Sequence, residues 1–396
     1  MSRDDLINDC VHCGFCLPTC PTYVLWGEEM DSPRGRIQLM LQESQGEPLT
    51  PSMAGHFDAC LGCMACVTAC PSGVQYDRLI TETRTMVEQV RPPAGRALRA
   101  AVFALFPYPR RLRAAKAPLV GYQRLGLPWK RHLPATLRTL IELAPPVRRA
   151  VPLPSFVPAL GPRRARVGLL TGCVQDAFFP SVNAATARVL AAEGCDVVIP
   201  PAQGCCGALS LHSGRESEAA RFASTLLDAF ADVDCLVVNA AGCGSALKDL
   251  AQDVKVRDFS EFLAELGPVA PRHPVPMTAA YHDACHLAHA QGVRDQPRAL
   301  LRAIPGLELR EIPDPEICCG SAGIWNILNP GPAAELGDRK AGAVLSTGAS
   351  LLVTANPGCL MQIAAAASRA GARLRLAHTA QVLDASIRGV RPESLS

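Results

Sequence analysis

Two copies of one cysteine pattern constrain this chain more than anything else in it. Residues 10–21 read CVHCGFCLPTCP and residues 60–71 read CLGCMACVTACP, both of the form C-x2-C-x2-C-x3-C-P. An iron–sulfur cluster needs a thiolate at each of four corners, and cysteine sulfur is soft and charged enough to hold ferric iron. The C-x2-C-x2-C loop wraps three corners. The fourth cysteine, followed by proline, cannot fold back onto the same cluster and reaches the other one. The pairing therefore crosses: Cys10, Cys13, Cys16 and Cys70 around one [4Fe–4S] cluster, and Cys20, Cys60, Cys63 and Cys66 around the second. Crossing also draws the two clusters close together, which suits one-electron hopping. The alternative is a pair of structural zinc sites, although zinc favours paired C-x2-C knuckles at longer separation.

Cysteine is over-used throughout, with 18 in 396 residues. A secreted disulfide protein would be small and would carry a signal peptide. This chain is large and opens Met1-Ser2-Arg3-Asp4-Asp5-Leu6, with neither an apolar h-region nor a cleavage site. The expected place is a reducing cytoplasm, with a peripheral position at the inner face of the cytoplasmic membrane as a further expectation. The uncharged stretch Ala341 to Ser368 is broken by Ser346-Thr347-Gly348 and Asn356-Pro357-Gly358, so it reads as buried core and not as a membrane span. A net charge of +3 and 5% aromatic residues argue against nucleic acid as a partner.

Four regions follow from the patterning. Residues 1–90 form a small helical domain with both cysteine motifs; Ser32-Pro33-Arg34-Gly35-Arg36 opens one helix, with Ser32 as N-cap, and Tyr76 to Val90 makes another. Residues 91–166 carry 16 Lys and Arg against one acid, Glu142, and hold 13 of the 34 prolines. They read as a connector with short helices, Gly95 to Phe106 and Leu133 to Leu143. It is either solvated or a docking surface for an acidic partner or an anionic membrane face. Residues 167–270 and 271–396 look like a duplication. Cys173, Cys205-Cys206-Gly207 and Cys243 in the first answer to Cys285, Cys318-Cys319-Gly320 and Cys359 in the second. The gaps before the doublets are 31 and 32 residues, and those after are 36 and 39. Short apolar runs at 165–170, 196–199, 235–238, 278–281, 307–312 and 350–354 alternate with helical stretches such as 217–230 and 333–345. This predicts parallel βαβ units with each cysteine just past the carboxyl end of a strand. The expected class is therefore α+β multidomain: a helical two-cluster ferredoxin-like domain followed by duplicated α/β cysteine-rich domains.

The C-terminal half resembles the CCG domains of heterodisulfide reductase-type subunits. The whole layout, with Ser32-Pro33-Arg34-Gly35-Arg36 between the motifs, Gly172-Cys173-Val174-Gln175, and the run from His282 to Gly292, resembles the iron–sulfur subunits of glycolate oxidase. The resemblance spans nearly the full chain and is weakest over the basic connector. It implies an electron-transfer subunit of a complex that oxidises glycolate to glyoxylate, with FAD on a partner subunit and electrons passing on toward respiratory quinone. The sequence agrees in one respect, because no G-x-G-x-x-G follows a strand. Similar layouts occur in lactate and glycerol-3-phosphate dehydrogenase complexes and in heterodisulfide reductase-like thiol enzymes, which are the alternatives. In heterodisulfide reductase each CCG repeat ends in Cys-x-x-Cys, whereas here Gly244-Ser245-Ala246 follows Cys243 and Leu360-Met361-Gln362 follows Cys359. Each repeat thus offers four cysteines, and a third metal or cluster site has its candidates among Cys173, Cys205, Cys206, Cys243, Cys285, Cys318, Cys319 and Cys359.

Other residues read more plainly. Cys195 and Cys235 lie at strands outside the repeat pattern and are expected in the core. His282, His286 and His289, spaced by three and four, are expected near one helix face beside Cys285, as hydrogen-bond donors to sulfur, alternative ligands or satisfied polar groups. His12 is expected at the surface. Arg34 and Arg36 either bring positive charge to a cluster or lie at a surface helix end.

Overall fold

The computed structural model describes residues 2–125, 135–146, 153–251 and 253–391. Residues 126–134 and 147–152, within the connector, lie outside the described residues, as does the start of the helix expected from Leu133.

The first 90 residues fold into short helices because hydroxyl-proline pairs restart the chain repeatedly. Ser32 accepts from Gly35 N at 3.0 Å ahead of helix Pro33–Ser44, and Thr50 accepts from Met53 N at 3.2 Å ahead of helix Pro51–Ala59. In both, proline at the first helical position lacks the N–H that would go unpaired there. Helix Tyr76–Val90 closes the bundle over a core of Leu6, Ile37, Met40, Phe57, Leu79 and Ile80. Gly35 has to be glycine, since a Cβ would lie 2.0 Å from the Glu29 carbonyl oxygen.

Among the described residues, nine strands make two sheets. β1 (Phe156–Val157), β2 (Ala165–Leu170), β3 (Cys195–Val198), β4 (Cys235–Val238) and β5 (Val256–Asp258) are ordered β1-β3-β2-β4-β5. β6 (Met277–His282), β7 (Leu307–Glu311), β8 (Leu351–Thr354) and β9 (Arg375–His378) are ordered β7-β6-β8-β9. All pairs are parallel except β1 on β3. Without β1, the two orders are the same, so the duplication holds at the level of topology. The chain reverses its direction of travel across the sheet between β2 and β4, and again between β6 and β8. Such switch points open a crevice at the carboxyl ends of the strands. Cys173 and Cys243 flank the first crevice, and Cys285 and Cys359 flank the second.

One core serves both sheets. Val167, Val197 and Val237 from the first join Ala279, Tyr281, Leu351 and Val353 from the second, with helices Pro180–Ala192 and Thr379–Arg388 packed between. Cys195 and Cys235 are buried in it. The two crevices face each other: Ala241 N donates to Ala355 O at 3.1 Å, and the buried imidazole of His378 bonds Asn239 O at 2.8 Å.

The connector is more than a solvated spacer. Its helices Pro93–Leu105, Pro109–Leu125 and Ala135–Leu143 lie over the carboxyl ends of both sheets and bury Val102, Phe103 and Leu112. Several of its cations are used internally: Arg91 pairs with Asp58 at 2.7 Å, Arg99 with Glu88 at 3.0 Å and Arg113 with Asp176 at 2.7 Å. Among the described residues, no helix is long and apolar enough to cross a membrane.

Candidate metal centres

The two N-terminal motifs form matching loops. His12 and Gly14 in the first, and Gly62 and Met64 in the second, all have positive φ, between 54° and 86°. The left-handed turns thus fall at the same two places, although glycine occupies only one of them in each copy. A non-glycine residue held there costs about 1–3 kcal/mol and persists only where its surroundings demand it. A guanidinium braces each loop: Arg34 Nη1 donates to His12 O at 3.1 Å, and Arg84 Nη2 donates to Cys60 O at 2.5 Å. Any side chain at Gly14 or Gly62 would collide with these arginines.

The sulfurs gather around two small cavities. Cys10, Cys13, Cys16 and Cys70 line one, with Cys66 at its border. Cys20, Cys60, Cys63 and Cys66 line the other. The two differ in exposure. Cys13 is exposed and Cys10, Cys16 and Cys70 are half-buried, whereas all four of the second set are buried. Val11 and Phe15, 69% and 65% exposed, stand beside Cys13 at the surface, and His12 is exposed with them.

Charge around the second set is arranged to match. Arg36 is 1% exposed and donates to Asp31 O at 2.6 Å, His56 O at 2.7 Å and Thr22 Oγ1 at 3.2 Å, with Cys20 Sγ at 4.0 Å. Although burial opposes it, the guanidiniums of Arg36 and Arg84 hold the Cys60 thiol below its ordinary value. Burial drives Cys63 and Cys66 the other way, well up, and pushes Cys16 up to about 11. Thiols that resist ionisation this strongly become thiolates when a cation meets them. Four soft donors about each cavity fit a [4Fe–4S] group on that ground.

The CCG cysteines converge as well. Cys173 and Cys205 lie 3.8 Å apart, and contacts run on from Cys205 through Cys206 to Cys243. Cys285, Cys318, Cys319 and Cys359 form the corresponding chain. Both sets face one cavity of about 860 Å³, roofed by Leu105, Phe106, Leu119 and Leu140 of the connector. The glycine of each motif turns at φ 82° and 85°, where a Cβ would come within 2.6 Å of Ala219 O or 2.8 Å of Ala333 O. That close approach holds each doublet against the following helix.

The second ferredoxin-type loop abuts the second repeat. Leu61, Cys63 and Ala65 pack with Cys318 and Trp325, and Cys285 adjoins them. Trp325 Nε1 donates to Ala59 O at 3.0 Å, and His286 Nε2 bonds Gly62 O at 2.9 Å. The His286 ring stands edge-on to His212, whose backbone oxygen accepts from Arg84 at 3.0 Å. Arg84 and His212 carry no motif signal; helix periodicity would have shown only that Arg84 shares a helix with Tyr76 and Ile80.

The three histidines expected on one helix face do not share one. His282 is the last residue of β6, while His286 and His289 lie on a single π-helical turn, His286–Ala290. His289 is a satisfied structural group, bonded to Thr68 Oγ1 at 2.7 Å and close to Arg294 and Glu316. His282 instead meets Cys319 and Cys359, their ligand atoms all within 4.8 Å of one another.

Comparison with known proteins agrees with this layout. Residues 6–74 match the 4Fe-4S dicluster domain family, 167–248 and 279–364 the cysteine-rich CCG domain, and 94–140 a family described as the glycolate oxidase iron-sulfur subunit linker region. The chain is 39% identical to a probable glycolate oxidase iron-sulfur subunit of Bacillus subtilis, over 97% of this chain and 94% of that protein. It is 35% identical to the glycolate oxidase iron-sulfur subunit of Escherichia coli, over 92% of each. Lactate utilization protein A of Shouchella clausii is 32% identical over 55% of this chain and 98% of its own. Among solved structures, a hypothetical protein from Helicobacter pylori shares the fold at a TM-score of 0.50 and 10% identity, covering 91% of this chain and 69% of that one.

Proposed function

The chain belongs to the glycolate oxidase iron-sulfur subunit family, and from that premise we propose that it carries electrons from a flavin-bearing partner, which oxidises glycolate to glyoxylate, toward a respiratory acceptor. It is an electron-transfer iron–sulfur subunit of an oxidoreductase. A bound [4Fe–4S] cluster supplies the ability to take up and release one electron at a time. The chain's own residues supply the rest. Cys10, Cys13, Cys16 and Cys70 hold one cluster; Cys20, Cys60, Cys63 and Cys66 hold the second. Cys13, Val11 and Phe15 present the exposed edge at which the partner docks. Arg36 and Arg84 offset the negative charge of the buried thiolates. The CCG thiols bind further metal at the inner end of the chain of sulfurs.

One observation carries the reading: the two thiol sets adjoin through Cys66, and the buried set touches Cys285 and Cys318 through Cys63. Neighbouring sets of thiols thus lead from the exposed surface to the large cavity. Lactate as the substrate of the partner is the second reading, favoured by the 32% identity to lactate utilization protein A, although that likeness covers only 55% of this chain.

Co-purification with the partner from the native host, followed by dye reduction with glycolate, D-lactate and glycerol-3-phosphate, tests it. Glycolate is expected to drive reduction that falls sharply when Cys13→Ser or Cys63→Ser replaces the parent chain. Glycolate-driven reduction at the parent rate in a complex lacking this chain would overturn the role.

A further inference from the structure

The two CCG repeats match in topology and cysteine spacing but differ at one ligand-capable position. The residue three before Cys173 is Leu170, and the residue three before Cys285 is His282. Each ends an inner strand of its sheet, β2 in the first and β6 in the second. The His282 imidazole is 2% exposed, and it makes no hydrogen bond to any described residue. A buried imidazole without a partner gives up the hydrogen bonds it would make in water and gains none in return. His378, equally enclosed, bonds Asn239 O, and His286 and His289 are bonded as well. What faces His282 is a pair of thiols, Cys319 from the doublet and Cys359 from helix Pro357–Arg369, with all three ligand atoms within 4.8 Å of one another. Asn356 Nδ2, 3.4 Å from Cys359 Sγ, orients that sulfur.

This spacing discriminates between kinds of metal group. With metal–sulfur bonds near 2.3 Å and metal–nitrogen bonds near 2.0–2.1 Å, the donors of one tetrahedral ion lie roughly 3.5–3.8 Å apart. Three donors within 4.8 Å therefore converge on one ion after small adjustments. We propose that His282 joins Cys319 and Cys359 as ligands of a single borderline-soft transition-metal ion, iron or zinc, in the second CCG repeat. Cys318, whose thiol contacts that of Cys319, supplies a fourth ligand. The first repeat, with Leu170 in place of the imidazole, has no such nitrogen donor. The inference rests on the reading that the second repeat's thiols bind metal, and it assigns the ligand set that the cysteine spacing leaves open.

Anaerobically purified full-length protein is the sample. Elemental analysis is expected to find one iron or zinc beyond the irons retained by a Cys319→Ala/Cys359→Ala variant. X-ray absorption at that metal's edge is expected to contain one nitrogen scatterer at about 2.0–2.1 Å beside sulfur at about 2.3 Å. His282→Ala should lose the extra metal, and His282→Cys should keep it with an all-sulfur shell. An all-sulfur shell in the parent protein, or nitrogen scattering that persists in His282→Cys, overturns the assignment of His282 alone. A parent protein with no metal beyond that of the double-cysteine variant overturns both the assignment and the reading of the repeat as a metal site. The parent spectrum needs no variant to fold, so the test stands even if His282→Ala is unstable.

Discussion

Arg36 offers the sharpest test of how this fold sets the behaviour of its buried thiols. Its side chain is 1% exposed and reaches to 4.0 Å from Cys20 Sγ. A unit charge at that distance is worth about 4 kcal/mol at an effective dielectric constant of ~20. Asp31 Oδ1, 3.2 Å from Nη2, opposes part of it, and a cluster spreads its charge over many atoms, so about 1–2 kcal/mol is the realistic share. At ~2.3 kcal/mol per 100 mV, that is a shift of about 40–90 mV. Removing a positive charge disfavours adding an electron, so Arg36→Gln should lower the midpoint potential of a cluster bound by the proposed ligands Cys20, Cys60, Cys63 and Cys66. The cluster at Cys10, Cys13, Cys16 and Cys70 should move much less. Arg36→Lys keeps the charge but loses the planar fork that bonds Asp31, His56 and Thr22 together, and should recover more than half of the shift. Arg36→Gln leaves Asp31 with His56 Nδ1, 3.0 Å away, as its remaining side-chain partner and costs about 1–3 kcal/mol of stability, which Arg36→Gln/Asp31→Asn relieves. The assay is an anaerobic redox titration followed by electron spin resonance, on samples first shown to retain both clusters. Two intact clusters in Arg36→Gln with midpoints indistinguishable from the parent, or a midpoint that rises, would refute the argument.

Three further outcomes are expected. Cys20→Ser should abolish the spectrum of the cluster built mainly on the second motif, and Cys70→Ser that of the first; loss of the same cluster as each mutated motif would rule out the crossed pairing. Gly320→Ala forces a Cβ to 2.8 Å from Ala333 O at a φ of 85° and should cost about 2–4 kcal/mol in chemical unfolding while displacing Cys318 and Cys319; an unfolding midpoint equal to the parent's would be fatal to that account. Burial pushes Asp258, the N-cap of helix Phe259–Leu266, up to about 6; the folded chain thus binds this proton more tightly than the unfolded one, and stability of about 3 kcal/mol present below the ordinary carboxylate range is lost as pH rises to 6. Asp258→Asn should flatten that part of the stability–pH curve, and an unchanged slope between pH 4 and 6 would count against it.

Much of this was legible because cysteine spacing and strand patterning report local geometry directly. The runs that became β4 and β8 are apolar almost throughout, as strands buried on both faces must be, those that became β2 and β6 are buried over their last four residues, and the cysteines of all four follow within a few residues. β1, β5 and β9 escaped notice for the opposite reason: they are two to four residues long and lie at sheet edges, where packing on a neighbour selects the strand and sequence hardly does. The connector misled through composition. Its cations suggested solvent, yet Arg91, Arg99 and Arg113 pair with acids from regions before and after it, and the alanine and leucine between them form the roof of the cavity. The spacing of His282, His286 and His289 suits one helix face only if a helix runs back across the end of β6. The strand ends there, so one of the three turns to the thiols of its own repeat while the others reach back to the first domain.

Exposure and charge rank the two N-terminal thiol sets in the same order. Arg34, beside the first set, has a side chain 27% exposed and tied to Glu29, so water and a carboxylate both weaken its field. Arg36 and Arg84 act on the second set from within the protein, where screening is weaker. The arginines therefore contribute more positive potential at the second set than at the first, against the burial that pushes Cys63 and Cys66 up. The first set is also the one that a partner can approach, through Cys13, Val11 and Phe15. The buried set is the one that meets Cys285 and Cys318. Taken by itself, the placement of these arginines supports the proposed travel from the exposed edge inward.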